Sequence, residues 1–159
     1  VIEFVEAGMD KVIAHLEKMP LKVRMRLESK VRLLAFQFVE KVRSEKLRGQ
    51  MVKMRTGNLA SSVRLAQLNL SETESVAVMA AGGSGSSYAS HVEFGTVPHE
   101  IRAKYAKALR FEIGGNVLFR KKVNHPGTFP RPFMASTLEE MAPWIVIEME
   151  NAVREGLRA

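Results

Sequence analysis

Apolar positions recur at helical spacing at both ends of the chain and alternate through its middle. Between Val1 and Met19, Val5, Met9, Val12 or Ile13 and Leu16 share one face, which predicts a short amphipathic helix ended by Pro20. From Leu21 the residues Leu27, Val31, Leu34, Phe38 and Val42 form a stripe of about four turns, predicting the longest helix. Such a stripe reads as core or helix seam. Arg48-Gly49 loosens that helix, Thr56-Gly57-Asn58 supplies a turn or cap, and Leu59 to Val63 makes a brief helical turn. Val63, Leu65, Leu68 and Leu70 predict a strand with an irregularity near Gln67. Val76 and Val78 predict its antiparallel partner across a turn at Ser71 to Thr73.

Further along, the run Gly82 to Ser87 has nothing to pack, so it reads as a mobile loop or one that orders only against a neighbour. Tyr88 to Thr96 predicts a short helix with Tyr88, Val92 and Phe94 reaching the core and Gly95 capping it. Ile101 and Ala103 mark an extended segment. Leu109, Phe111 and Ile113 then face Val117 and Phe119 across Gly114-Gly115-Asn116, a second hairpin. Three prolines make Asn124 to Met134 a rigid extended connector, with Phe129 and Phe133 as apolar pins on either side of Arg131. A closing helix from Pro132 carries Leu138, Met141, Ile145, Met149, Ala152 and Leu157 inward. Glu139 and Glu140 are expected in its first turn, Arg154 and Arg158 near its end, a kink at Pro143 and an anchor at Trp144.

The expected architecture is α+β: an antiparallel sheet of about four strands packed against a long N-terminal helix and a C-terminal helix. It reads as one domain over 1–159, divided into a helical part (1–55), a part with sheet, loops and short helix (56–131) and a closing helix (132–159).

With 159 residues and 46% apolar composition the chain can build a core, and without cysteine it has neither disulfides nor thiolate chemistry, which fits a reducing compartment. No apolar run approaches the length of a membrane span, and Glu3, Glu6 and Asp10 make the start unlike a signal peptide. The net charge of +7 is concentrated between Lys22 and Arg55, where only Glu28, Glu40 and Glu45 oppose the basic residues. That excess reads first as a solvated helix face or a contact with an acidic protein neighbour. A phosphate-binding stripe is the alternative, but Phe36 and Phe38 fall near the apolar face instead of interleaving with the charge.

His91, Glu93, His99 and His125 could in principle gather round a metal, but their spacing matches no strong metal motif. The serines occupy no nucleophile elbow, the glycine run lacks a phosphate-loop lysine, and adjacent Glu139 and Glu140 diverge on a helix. No catalytic residue, metal or cofactor is expected. Glu93 reads as a structural latch, accepting backbone donors from the proline connector or pairing with Arg131.

Three segments in this order carry a resemblance: TGNL at Thr56, Gly57 and Leu59; YASHVEFGT at Tyr88, Glu93, Phe94, Gly95 and Thr96; and HPGTFPRPFM at His125, Pro126, Gly127, Arg131, Pro132 and Phe133. Followed by a long helix, they resemble the tail-component or neck family of tailed bacteriophages of the lambdoid siphophage type, also called tail-completion or head-tail joining proteins. The resemblance covers about the last two thirds of the chain. It implies a non-enzymatic virion protein, assembled in the host cytoplasm as a homo-oligomeric ring between the portal or connector complex and the tail tube. Its implied partners are copies of itself and neighbouring connector, terminator or tail-tube proteins, with no membrane. DNA passing through such a ring could touch basic residues nonspecifically, and a basic nucleic-acid-binding module is the rival reading.

Overall fold

The computed structural model describes residues 21–52, 56–70, 75–83 and 86–158. The helix expected at Val1 to Met19 and the turn at Ser71 to Thr73 lie outside them. Helix α1, Leu21–Lys41, buries Val23, Leu27, Leu34, Ala35, Phe38 and Val39, so the predicted stripe faces inward, although Val31 is only half-buried. It continues through Val42–Gln50 in wider π turns until Arg48 and Gly49 leave helical geometry, Gly49 at a φ of 130°.

The short helix α2, Asn58–Ser62, leads into strand β1, Arg64–Leu70, which pairs antiparallel with β2, Ser75–Ala80. Their register shifts between Leu65 and Gln67, where the sequence predicts an irregularity. Helix α3, Ala89–Phe94, precedes β3, His99–Arg102, β4, Leu109–Ile113, β5, Asn116–Arg120, and β6, Lys122–His125. The α+β class stands, but the strands do not join into one four-stranded sheet. They form three two-stranded antiparallel units, β1–β2, β3–β6 and β4–β5.

Two of those units are successive parts of one ribbon. The Thr96–Thr128 bridge opens it, β3 and β6 follow in the same register, and the Ala103 amide donates to the Lys121 carbonyl. Residues 104–108 then make an excursion on the outgoing arm before β4 and β5 close on Gly114-Gly115, both at positive φ. At the usual rise per residue this amounts to about 40 Å of ribbon. Every residue of β3 is exposed, and so are Ile113, Val117 and Phe119 towards the tip.

Helix α4, Phe133–Arg158, runs antiparallel to α1. Ion pairs step along the seam: Arg26–Glu155 at 4.0 Å, Lys30–Glu148 at 2.7 Å, and Glu140 with both Lys41 and Lys46. Four basic residues of the stripe are thus met by carboxylates of α4. Because α4 starts at Phe133, Glu139 and Glu140 lie in its second turn, beyond the first-turn position expected of them, and Glu140 reaches across to α1. Pro143 sits within the helix without ending it, and Trp144 is only partly covered. Leu157 points outward, and the neighbouring Gly156 takes its place, pressed against Val23 so closely that a side chain would overlap the Val23 backbone.

The main core joins Phe38, Val39, Val42 and Leu47 to Leu59, Val63, Ala81, Ala89, Phe133, Met134 and Met141. A smaller cluster of Val23, Leu27 and Ala152 closes the far end of the helix pair. Within the glycine-serine run the structure packs Gly82 and Ser86, contrary to expectation, while Gly83 and Ser87 are exposed and residues 84–85 lie outside the described residues. Gly82 and Ser86 are buried, the Gly82 amide donates to Ser62 Oγ at 3.0 Å, and Arg64 donates to the Gly82 carbonyl at 2.8 Å. A single chain therefore anchors both flanks, because small residues fit where the backbone itself makes the contacts.

Candidate functional site

The three segments behind the phage resemblance converge at the start of α4. Gly57, at a φ of 77°, turns the chain into α2, and Thr56 Oγ1 accepts the Asn58 amide at 3.4 Å. Leu59 enters the core beside Ala89, Phe133 and Met134, so residues from all three segments share one apolar cluster. Thr56 itself is exposed.

In α3 the inward positions are Ala89 and Glu93, one helical turn apart, with Val92 beside them. Tyr88 and Phe94, expected in the core, are exposed because a residue adjacent to an inward position is rotated by about 100° on a helix. Glu93 is 1% exposed, yet its oxygens are satisfied: Oε2 accepts the Met134 amide at 3.0 Å and Oε1 the Ala135 amide at 2.9 Å. These donors belong to the first turn of α4, where backbone N–H groups lack intrahelical acceptors and the helix end is electropositive. Burial pushes the Glu93 carboxyl above its usual range, against the downward pull of the Met134, Ala135 and Phe133 amides. Of the two latch geometries expected, the backbone one is present. Arg131 instead donates its main-chain amide to the Val92 carbonyl at 2.8 Å, and no ion pair joins it to Glu93 among the described residues.

The connector starts within β6, at Asn124 and His125, and ends with Pro132, whose carbonyl accepts the Ser136 amide. Phe133 is fully buried, whereas Phe129 is 91% exposed, so only one of the two expected pins is in place. The Phe129 backbone lies against Gly95, leaving its ring on the solvent side. Gly95, at a φ of 72°, and Gly127, at 88°, flank the Thr96–Thr128 bridge. A side chain at Gly95 would overlap the Thr128 carbonyl, and one at Gly127 the Thr96 carbonyl. Thr96 and Thr128 exchange both backbone hydrogen bonds at 3.0 Å, and their hydroxyls lie 3.1 Å apart. Pro126 is exposed.

His99 and His125 face each other across the ribbon with ring centroids 5.1 Å apart. His125 Nδ1 accepts the Gly127 amide at 3.1 Å, and His99 Nδ1 lies 2.9 Å from the Val97 carbonyl. With His91 and Arg131 they line an open cavity of about 300 Å³. Glu93 turns away from it into α4, which removes the carboxylate from the sequence-level metal set. Among the described residues no cluster of three ligating side chains is suited to a metal ion.

Sequence reasoning missed Lys46, which is 7% exposed and paired with Glu140, and Arg43, whose Nε donates to the Val63 carbonyl at 3.0 Å. Both partners lie far along the chain, and no local pattern marks them. Compared with family models, curated proteins and solved structures, the chain has no match.

Proposed function

We propose that this protein is a non-enzymatic component of a tailed-phage virion, assembling as a ring at the head-tail junction between the portal or connector complex and the tail tube. The observation that carries the reading is the convergence of the three motif segments on one joint. Glu93, Gly95, Thr96, Gly127, Arg131 and Phe133 are used there in backbone-level carpentry. A buried carboxylate whose two oxygens each accept a backbone amide is poorly placed to move protons to or from a substrate. The same joint leaves Phe94, Val97 and Phe129 on its outer side, more than half exposed, where copies or neighbouring connector, terminator or tail-tube proteins would cover them.

Mass determination by light scattering tests the reading. A discrete oligomer is expected, or a monomer that oligomerises on adding the portal complex or tail tube. A monomer inert to both, or a turnover lost in His91→Ala with the fold intact, would overturn it.

A further inference from the structure

We infer that the β3–β6 and β4–β5 ribbon, and not the basic helix α1, is a DNA-binding arm that engages duplex backbone without regard to sequence. Charge distribution is the first ground. Between Thr96 and Thr128 the chain has seven basic residues and only Glu100 and Glu112 in opposition, an excess of five within a chain whose net charge is +7. On α1 and its continuation Arg26, Lys30, Lys41 and Lys46 meet three carboxylates of α4 across the helix seam. On the ribbon, Glu100 is shared by Arg102 and Lys122. Lys104, Lys107, Arg110, Arg120 and Lys121 have no carboxylate partner among the described residues, and all five are exposed.

Shape is the second ground. A two-stranded antiparallel ribbon fits the major groove of B-form DNA, and this one projects far enough to follow the duplex for about a turn. A surplus of free cations along a narrow, solvated ribbon also suits a polyanion better than an apolar protein partner, because counterion release rewards each phosphate neutralised. The third ground is the aromatic pattern. Tyr105 follows Lys104 and is 92% exposed, with the Lys104 ammonium 5.3 Å from its ring, and exposed Phe119 precedes Arg120. Basic and aromatic residues interleave here; on α1 Phe38 is buried, and Phe36, expected near the apolar face, is exposed one turn from Arg32.

The arm can be tested on the full chain, whatever its oligomeric state, so the result stands apart from the ring reading. Fluorescence anisotropy would follow binding to a labelled 30-base-pair duplex of random sequence at two salt concentrations. The parent should bind more weakly as salt rises. A variant with Lys104, Lys107, Arg110, Arg120 and Lys121 all changed to Ala should lose at least tenfold in affinity, with a salt slope shallower by about 3–4. A control with Arg32→Ala and Arg48→Ala on the helical body should change affinity less than about twofold. Circular dichroism would establish that both variants are folded. No salt-dependent binding by the parent, or equal losses in the two variants, would overturn the assignment. Tighter binding to single-stranded oligothymidine than to duplex, abolished by Tyr105→Ala, would overturn its duplex form.

Discussion

Glu93 is a buried carboxylate whose donors come from a helix more than forty residues further along the chain. Removing it leaves two amides at the start of α4 without acceptors. Glu93→Ala is therefore expected to cost about 2–4 kcal/mol in denaturant unfolding, and Glu93→Gln less, since the amide keeps one acceptor oxygen. A loss below about 0.5 kcal/mol for Glu93→Ala would remove the latch. The pH dependence has a definite sign. With its folded pKa raised, Glu93 binds its proton more tightly in the folded state, so its contribution falls as pH rises from the unfolded value near 4.5 through the folded one. Measured unfolding free energies should show the gap between parent and Glu93→Gln narrowing as pH rises above the unfolded value near 4.5. A widening gap would mean that the backbone donors outweigh desolvation.

Between α1 and α4, close packing and charge pairing have separate tests. Gly156→Ala favours the helix by about 1 kcal/mol in propensity but places a methyl group against the Val23 backbone. Overpacking of this kind should win, with a net loss of about 1–3 kcal/mol in thermal or denaturant unfolding. Glu140 lies in the opposite pH regime to Glu93: the Lys46 hydrogen bond, then the charges of Lys46 and Lys41, hold its carboxyl below the usual range. Its contribution is present above the unfolded value near 4.5 and lost as pH falls through the folded one. The difference in melting temperature between parent and Glu140→Gln should accordingly shrink on acidification. The α1 stripe, the break at Gly49 and the bulge beside Gln67 were legible because helical and strand periods, and their interruptions, are local. The outward turn of Tyr88 and Phe94 was not, since a six-residue helix has too few apolar positions to define its face. Pairing of β3 with β6 was equally hidden: alternation marks strands but does not say which strand lies beside which, and an excursion separates the two hairpin segments.

As a whole, the molecule is a helical body with a ribbon set on it through one joint. Replacing residues 104–120 by Asn-Gly, directly after the Ala103–Lys121 hydrogen bond, should leave the body folded, with a melting temperature within a few degrees of the parent. Global unfolding of that shortened chain would mean that the outer ribbon belongs to the core. Gly95 and Gly127 stand at the ribbon's root, each against the main chain of the other strand. A side chain there would have to displace backbone, and no exchange of neighbouring side chains can make room for it. Libraries randomised at both positions should return the glycine pair without compensating partners. The aim of the arm is then insulated from mutational drift elsewhere, and a lever of about 40 Å keeps its bearing because its pivot admits a single chemical solution.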